Sequence, residues 1–210
     1  MGVRGRRHLP ALGVLASAYA AGTVPVANLA ARWLRGVDLR SVGTGTVSGS
    51  ALYSVAGFGP LAVVGCVELA KGALGPALAG SDRPLLGAAA AAAGIVGHNW
   101  SPWLGFRGGR GVSLVLGASL VLAPEGLALT AAGLALGRLA RQTGAGTFFA
   151  LVAYPVVLAA RRGWRGFLAG TVVVAPVLLK RVLGNDAHVP TSWSARLARL
   201  VGDRDPAGTV

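Results

Sequence analysis

Two segments of this chain concentrate residue types that can bind and polarise an anion. The richer is Gly97-His98-Asn99-Trp100-Ser101-Pro102-Trp103-Leu104-Gly105-Phe106-Arg107-Gly108-Gly109-Arg110-Gly111-Val112-Ser113, where Gly108, Gly109 and Gly111 interleave with Arg107 and Arg110 just before an apolar run that reads as helix. Glycines let backbone N–H groups approach a ligand, guanidinium forks match phosphate or carboxylate oxygens, and a helix N-terminus adds partial positive charge. The expected occupant is therefore a phosphate or a carboxylate. No Lys-Ser or Lys-Thr follows the glycines, so this is not a Walker loop. A single Arg-Gly-Gly wedged between apolar runs also differs from the repeated, disordered tracts that bind RNA, and no nucleic-acid partner is expected. His98 is open to three uses: proton carrier, phosphate donor or helix-end cap. Trp100 and Trp103 suit the aromatic belt of a membrane interface.

The second segment, residues 36–50, is dense in glycine and hydroxyl groups, with Gly43, Thr44, Gly45, Thr46 and Ser50 among them. Opening a helix, such a loop can cradle a phosphate; the plain alternative is a flexible turn. A third feature lies inside an apolar stretch. Glu68 and Lys71 are three residues apart and share a helix face, so their pairing as an intramembrane brace is the simplest account of two charges in such a place. His8, His98 and His188 are scattered, acidic residues number 7, and Cys66 is the single cysteine, so neither a metal site nor a disulfide framework is expected, and no cofactor is implied.

The elements that must carry these residues follow from the distribution of charge. Of 210 residues 53% are hydrophobic and only 13% charged, against about a quarter in soluble domains, and the net charge is +13. The apolar excess excludes intrinsic disorder. Uncharged runs occupy 9–31, 41–67, 84–106, 111–124, 126–137, 142–160 and 166–179. A bilayer core of about 30 Å takes roughly 20 apolar residues in a helix. Four of the runs reach or approach that length; the other three, of 12 to 14 residues, must be short, tilted or half-spanning segments packed on their neighbours. The expected fold class is an all-α, polytopic integral membrane bundle of about seven transmembrane helices, some short, over residues 1–183, with a cytoplasmic C-terminal tail at 184–210. The small-residue run 87–94 suits a close helix–helix seam. Arg4, Arg6 and Arg7 ahead of an apolar stretch imitate a secretory signal, but the stretch continues to Ala31, long enough to span. With seven spans, 12 basic residues fall on one side and 7 on the other, with Lys71 inside a span, which assigns both loops and the C-terminus to the cytoplasm.

The order of these pieces resembles a known family. Gly22-Thr23-Val24-Pro25, then Val37-Asp38-Leu39-Arg40 with Gly43-Thr44-Gly45, then Glu68-x-x-Lys71-Gly72, then Gly97-His98-x-x-x-Pro102 with Phe106-Arg107-Gly108-Gly109-Arg110-Gly111-Val112, is similar to the bacterial acyl-phosphate:glycerol-3-phosphate acyltransferases. The resemblance covers roughly residues 15–120. It implies a seven-helix enzyme of the bacterial plasma membrane that moves a fatty acyl group from acyl phosphate to the 1-hydroxyl of glycerol 3-phosphate, or of a related phosphorylated polyol, giving lysophosphatidic acid for phospholipid synthesis. His98 and Arg110 are then the expected catalytic residues. Gly43, Thr44, Gly45, Thr46, Ser50, Arg107, Gly108, Gly109 and Gly111 are the expected substrate-binding residues, and the lipid bilayer is the other partner. Where the family carries two amides and an arginine in the first loop, this chain has Thr46, Ala51 and Ser54. That difference motivates an inactive paralogue, binding phosphorylated lipids or a membrane partner, as the second reading. A small transporter using Glu68 and Lys71 is the third.

Overall fold

The computed structural model describes residues 9–43, 45–185 and 192–202, which contain helices and loops and no strand. The first apolar run does not make one straight helix. It breaks at Val24-Pro25 into α1 (Ala11–Thr23) and α2 (Val26–Arg35) because the proline ring disfavours helical geometry at the residue before it, and Val24 is extended. The remaining helices are α3 (Gly49–Ala56), α4 (Phe58–Ala79), α5 (Pro84–Asn99), α6 (Val112–Leu122), α7 (Pro124–Leu139), α8 (Thr143–Leu183) and α9 (Trp193–Gly202). Within α8, Gly163 takes φ 61° and ψ −154°, a backbone state open to glycine, and the chain doubles back there. Gly170 packs on Pro155, so arms 143–162 and 164–183 form a hairpin.

The seven apolar segments read from the sequence are traced by α1, α4, α5, α6, α7 and the two arms of α8. Ala11–Arg35, Phe58–Ala79 and Thr143–Leu183 are long and apolar enough to cross a membrane. At 1.5 Å per residue α6, with 11 residues, reaches only about 16 Å, roughly half of a bilayer core, and depends on its neighbours for cover. α2, α3 and α9 are further, shorter helices. In α2, Ala27, Asn28 and Ala31 are buried while Leu29 and Trp33 face outward, a division the uncharged run had concealed.

α5 is the centre of the bundle, touching α1, α4, α6 and α8. Its Ala88, Ala90, Ala91 and Gly94 are buried, and Gly94 lies against Gly22 of α1, so the small-residue run does form a seam. Removing side chains lets backbones approach closely enough for dispersion contacts to hold helices together without a hydrophobic driving force between them. Ile95, Leu114, Leu151 and Val177 fill the core around it. Lys71 of α4 reaches Val24 while Gly75 packs on Ala18, which makes α1 and α4 antiparallel. The same alternation brings residues 36–43, 45–50, 97–111 and 180–185 to one end of the bundle.

Candidate active site

The first glycine-rich loop is held in place rather than free to flex. Asn28 of α2 accepts a hydrogen bond from the Leu39 N–H at 2.7 Å, and Leu39 is wholly buried. Asp38 accepts from the Arg40 guanidinium at 2.7 Å and from its backbone N–H at 3.0 Å. The Arg40 bond holds the Asp38 carboxyl at about 2, well below its ordinary value. Ser48 caps α3 by accepting from the Ala51 N–H. Gly45, Thr46 and Val47 are buried inside this frame, whereas Gly43 and Ser50 face outward, Ser50 beside the Ser48 hydroxyl. Thr44 lies outside the described residues.

The second loop folds back on the end of α5. The Gly108 N–H donates to the Asn99 carbonyl and the Gly109 N–H to the His98 carbonyl, both at 3.2 Å. Those two donors therefore satisfy carbonyls left open at a helix C-terminus, rather than facing a ligand as the glycine pattern suggests. The Gly45 N–H is likewise engaged, by Val42. Glycine is needed for closeness instead: a Cβ on Gly109 would strike His98 Nε2 and stand 2.6 Å from the Val47 carbonyl. Gly111, with φ 74°, turns the chain into α6 against Asn99 and Ile95. Side chains must supply the donors that these three N–H groups do not.

Those side chains converge. The Arg107 guanidinium lies beside Gly45, joining the two loops, and is exposed; Arg110 is half-buried. Lys180, from the second arm of α8, is 2% exposed and donates to the Phe106 carbonyl at 3.3 Å, with its ammonium 5.0 Å from the centre of the Trp100 ring. It also lies close enough to Arg110 for the two positive charges to repel. Phe106 itself sits at φ 65°, a conformation rare outside glycine, fixed by that bond and by its N–H to the Ser101 carbonyl. Trp100 is thus part of the loop's support, while Trp103 is exposed and donates to Thr23. Asn185 closes the third side, donating to the Gly108 carbonyl at 3.0 Å and facing the Gly45 carbonyl and Thr46 hydroxyl at 3.5 Å. Lys180 and Asn185 were missed as site residues. A lysine at the end of an apolar run reads as a topology signal, and an isolated Asn carries no spacing signal. His188 lies outside the described residues.

His98 faces inward, toward α4. Its Nδ1 is 3.2 Å from Glu68 Oε2, and the same carboxylate lies 3.0 Å from Lys71 Nζ. Glu68, His98, Val47 and Gly109 line a small cleft together with Thr23 and Ser101. Among the described residues no cluster of His, Cys, Asp and Glu could hold a metal.

A family model described as glycerol-3-phosphate acyltransferase matches residues 12–186. A glycerol-3-phosphate acyltransferase of Synechococcus sp. (strain CC9902) is 35% identical over 180 residues, covering 84% of this chain and 90% of the relative. The chain belongs to the glycerol-3-phosphate acyltransferase family. A second relative of the same description, from Synechococcus sp. (strain JA-2-3B'a(2-13)), is 37% identical over 204 residues, 94% of each chain. The fold is shared with a crystal structure of PlsY (YgiH), an integral membrane glycerol 3-phosphate acyltransferase, in its glycerol 3-phosphate form. The TM-score is 0.72 at 22% identity, over 81% of this chain and 88% of that one. The all-α membrane bundle expected from the apolar runs is therefore the fold of this family.

Proposed function

We propose that this enzyme transfers a fatty acyl group from acyl phosphate to the 1-hydroxyl of glycerol 3-phosphate, giving lysophosphatidic acid and inorganic phosphate. The observation that carries the reading is the meeting of Arg107, Arg110 and Lys180 with two loops that Asn185 ties together, at one end of an apolar bundle. Both substrates present phosphate to such a site, and the acyl chain lies along the apolar helices. Arg107 and Arg110 hold phosphate oxygens, and His98 polarises the acyl phosphate. Gly45, Thr46, Gly108, Gly109 and Gly111 shape the walls, with Gly43 and Ser50 at the outer edge of the first loop.

In the step itself the glycerol oxygen bonds to the acyl carbon and the bond from that carbon to the phosphate oxygen breaks. Phosphate leaves with the bonding pair, and a substrate phosphate takes the hydroxyl proton. Acyl phosphate is already activated, so alignment and charge stabilisation supply much of the acceleration. The excess of basic residues at this end supports a cytoplasmic orientation in a bacterial plasma membrane.

Purified protein in lipid is expected to form lysophosphatidic acid from the two substrates, with His98→Ala and Arg110→Ala each slower by at least about tenfold. Unchanged rates in both variants would overturn the assignment of these residues, and failure of the wild type would overturn the reaction.

A further inference from the structure

Glu68 and Lys71 look like a self-contained ion pair in the sequence, but in the structure the carboxylate is shared. It accepts from Lys71 Nζ at 3.0 and 3.2 Å and lies 3.2 Å from His98 Nδ1, while all three side chains are at most 10% exposed. An imidazole that donates from Nδ1 to a carboxylate has its tautomer and ring plane set, and its other nitrogen is left for chemistry. Here that other nitrogen, Nε2, packs against Gly109 of the second loop, in a cleft that Glu68 and Val47 of the first loop also line. Lys71 extends the connection, donating at 2.7 Å to the Val24 carbonyl where α1 breaks. The next helix, α2, holds the first loop through Asn28.

We infer that Glu68 is a positioning residue for the acyl transfer: it fixes the His98 ring so that Nε2 meets the substrate between the two loops, with Lys71 balancing its buried charge. The inference rests on the acyltransferase reading of the site and on the role of His98 in it. A buried ion pair can often be replaced by apolar residues of similar volume without loss of stability. The pair Glu68→Met with Lys71→Met therefore separates positioning from bracing. Its thermal midpoint in detergent is expected to stay near that of the wild type. Its kcat is expected to fall about tenfold to a hundredfold, as when the orienting partner of a metal-bound imidazole is removed, with KM for glycerol 3-phosphate changed less than about threefold. Glu68→Gln with Lys71→Met restores an acceptor for Nδ1 without the ion pair, and recovers most of the lost turnover. On a His98→Ala background neither pair costs anything further, because the three residues act as a unit. If Met at position 68 prevents assembly, Glu68→Ala with Lys71→Ala, which adds no bulk and leaves Nδ1 without an acceptor, takes the place of the Met pair in the same cycle.

Wild-type turnover in the Met pair, equal losses with Met and Gln, or losses that multiply on His98→Ala would each overturn the positioning role. If His98→Ala is slow and the Met pair fast, only this inference falls. If His98→Ala is itself as fast as the wild type, the reading of the site falls first.

Discussion

At one end of the bundle, arginines are matched to helix ends. Arg83 donates to the Ala79 carbonyl at 2.8 Å and to the Leu9 carbonyl at 3.1 Å, and Arg162 pairs with Glu125 at 2.9 Å while donating to the Leu122 carbonyl. These two cations each meet the negative pole of a helix, and Arg162 a carboxylate as well. At the other end Arg107 lies beside Gly45, and Lys180 and Arg110 stand close enough to repel. The same residue type thus closes the fold in one place and concentrates positive field in another. What separates the two is the partner: Arg83 and Arg162 donate to helix-end carbonyls, whereas the His98 and Asn99 carbonyls at the end of α5 are taken by the Gly109 and Gly108 N–H groups. A field of one sign held by a rigid frame is what an anionic substrate can relieve.

The contrast can be broken most severely at Gly109. Gly109→Ala drives a methyl group onto His98 Nε2 and the Val47 carbonyl, and a displacement of the reacting groups by about 1 Å costs on the order of a hundredfold in rate. Turnover of acyl phosphate is expected to fall by that much, with α-helix content by circular dichroism unchanged; a fully active variant would show that the two loops need not meet so closely. Lys180→Met keeps the stem against Trp100 but removes the charge and its bond to Phe106. A loss of about 1–2 kcal/mol, or five- to thirtyfold in kcat/KM, is expected, since the bond is charge-assisted. The comparison predicts the opposite at the other end. Arg162→Ala is expected to leave kcat/KM unchanged and to cost up to about 1 kcal/mol of stability, read as a lower thermal midpoint, because the pair is partly exposed.

The smallest effect concerns the first loop. The Asp38 carboxyl is held at about 2 against an ordinary 3.8, so the stabilisation it contributes is present above 3.8 and is lost as pH falls toward 2. Asp38 is half-buried and its partner Arg40 more exposed, which limits the size of the effect. Comparing thermal midpoints at pH 5 and pH 3, the wild type is expected to lose more than Asp38→Asn; equal losses would mean that Asp38 does not anchor the loop.

Much of the bundle was legible because a bilayer imposes length: seven uncharged runs map onto α1, α4, α5, α6, α7 and the arms of α8. What escaped was local geometry inside those runs. Nothing in the hydropathy of 9–31 marks the break at Val24-Pro25, since both sides remain uncharged, and the amphipathic character of α2 emerges only after the helix is divided there. At the candidate site, clusters close in sequence were visible, as with Arg107 to Gly111. Contacts between distant residues were not. Glu68 and His98 sit on different helices, and only the packing of α4 on α5 makes them neighbours. Asn185 stands well beyond both loops and is recognisable only from the carbonyls it joins.

The turn at Gly163 has a consequence for manufacture. It sends the second arm of α8 back across the bundle with Lys180 and Asn185 at its far end, so these two are the last of the site's described residues to leave the ribosome. A nascent chain that has inserted everything up to Arg162 already owns both glycine-rich loops, yet it lacks the ammonium under Phe106 and the amide between the loops. Synthesis of this protein must therefore pass well beyond Gly163 before the site has all its walls, and a chain stalled short of the second arm of α8 occupies the membrane without them.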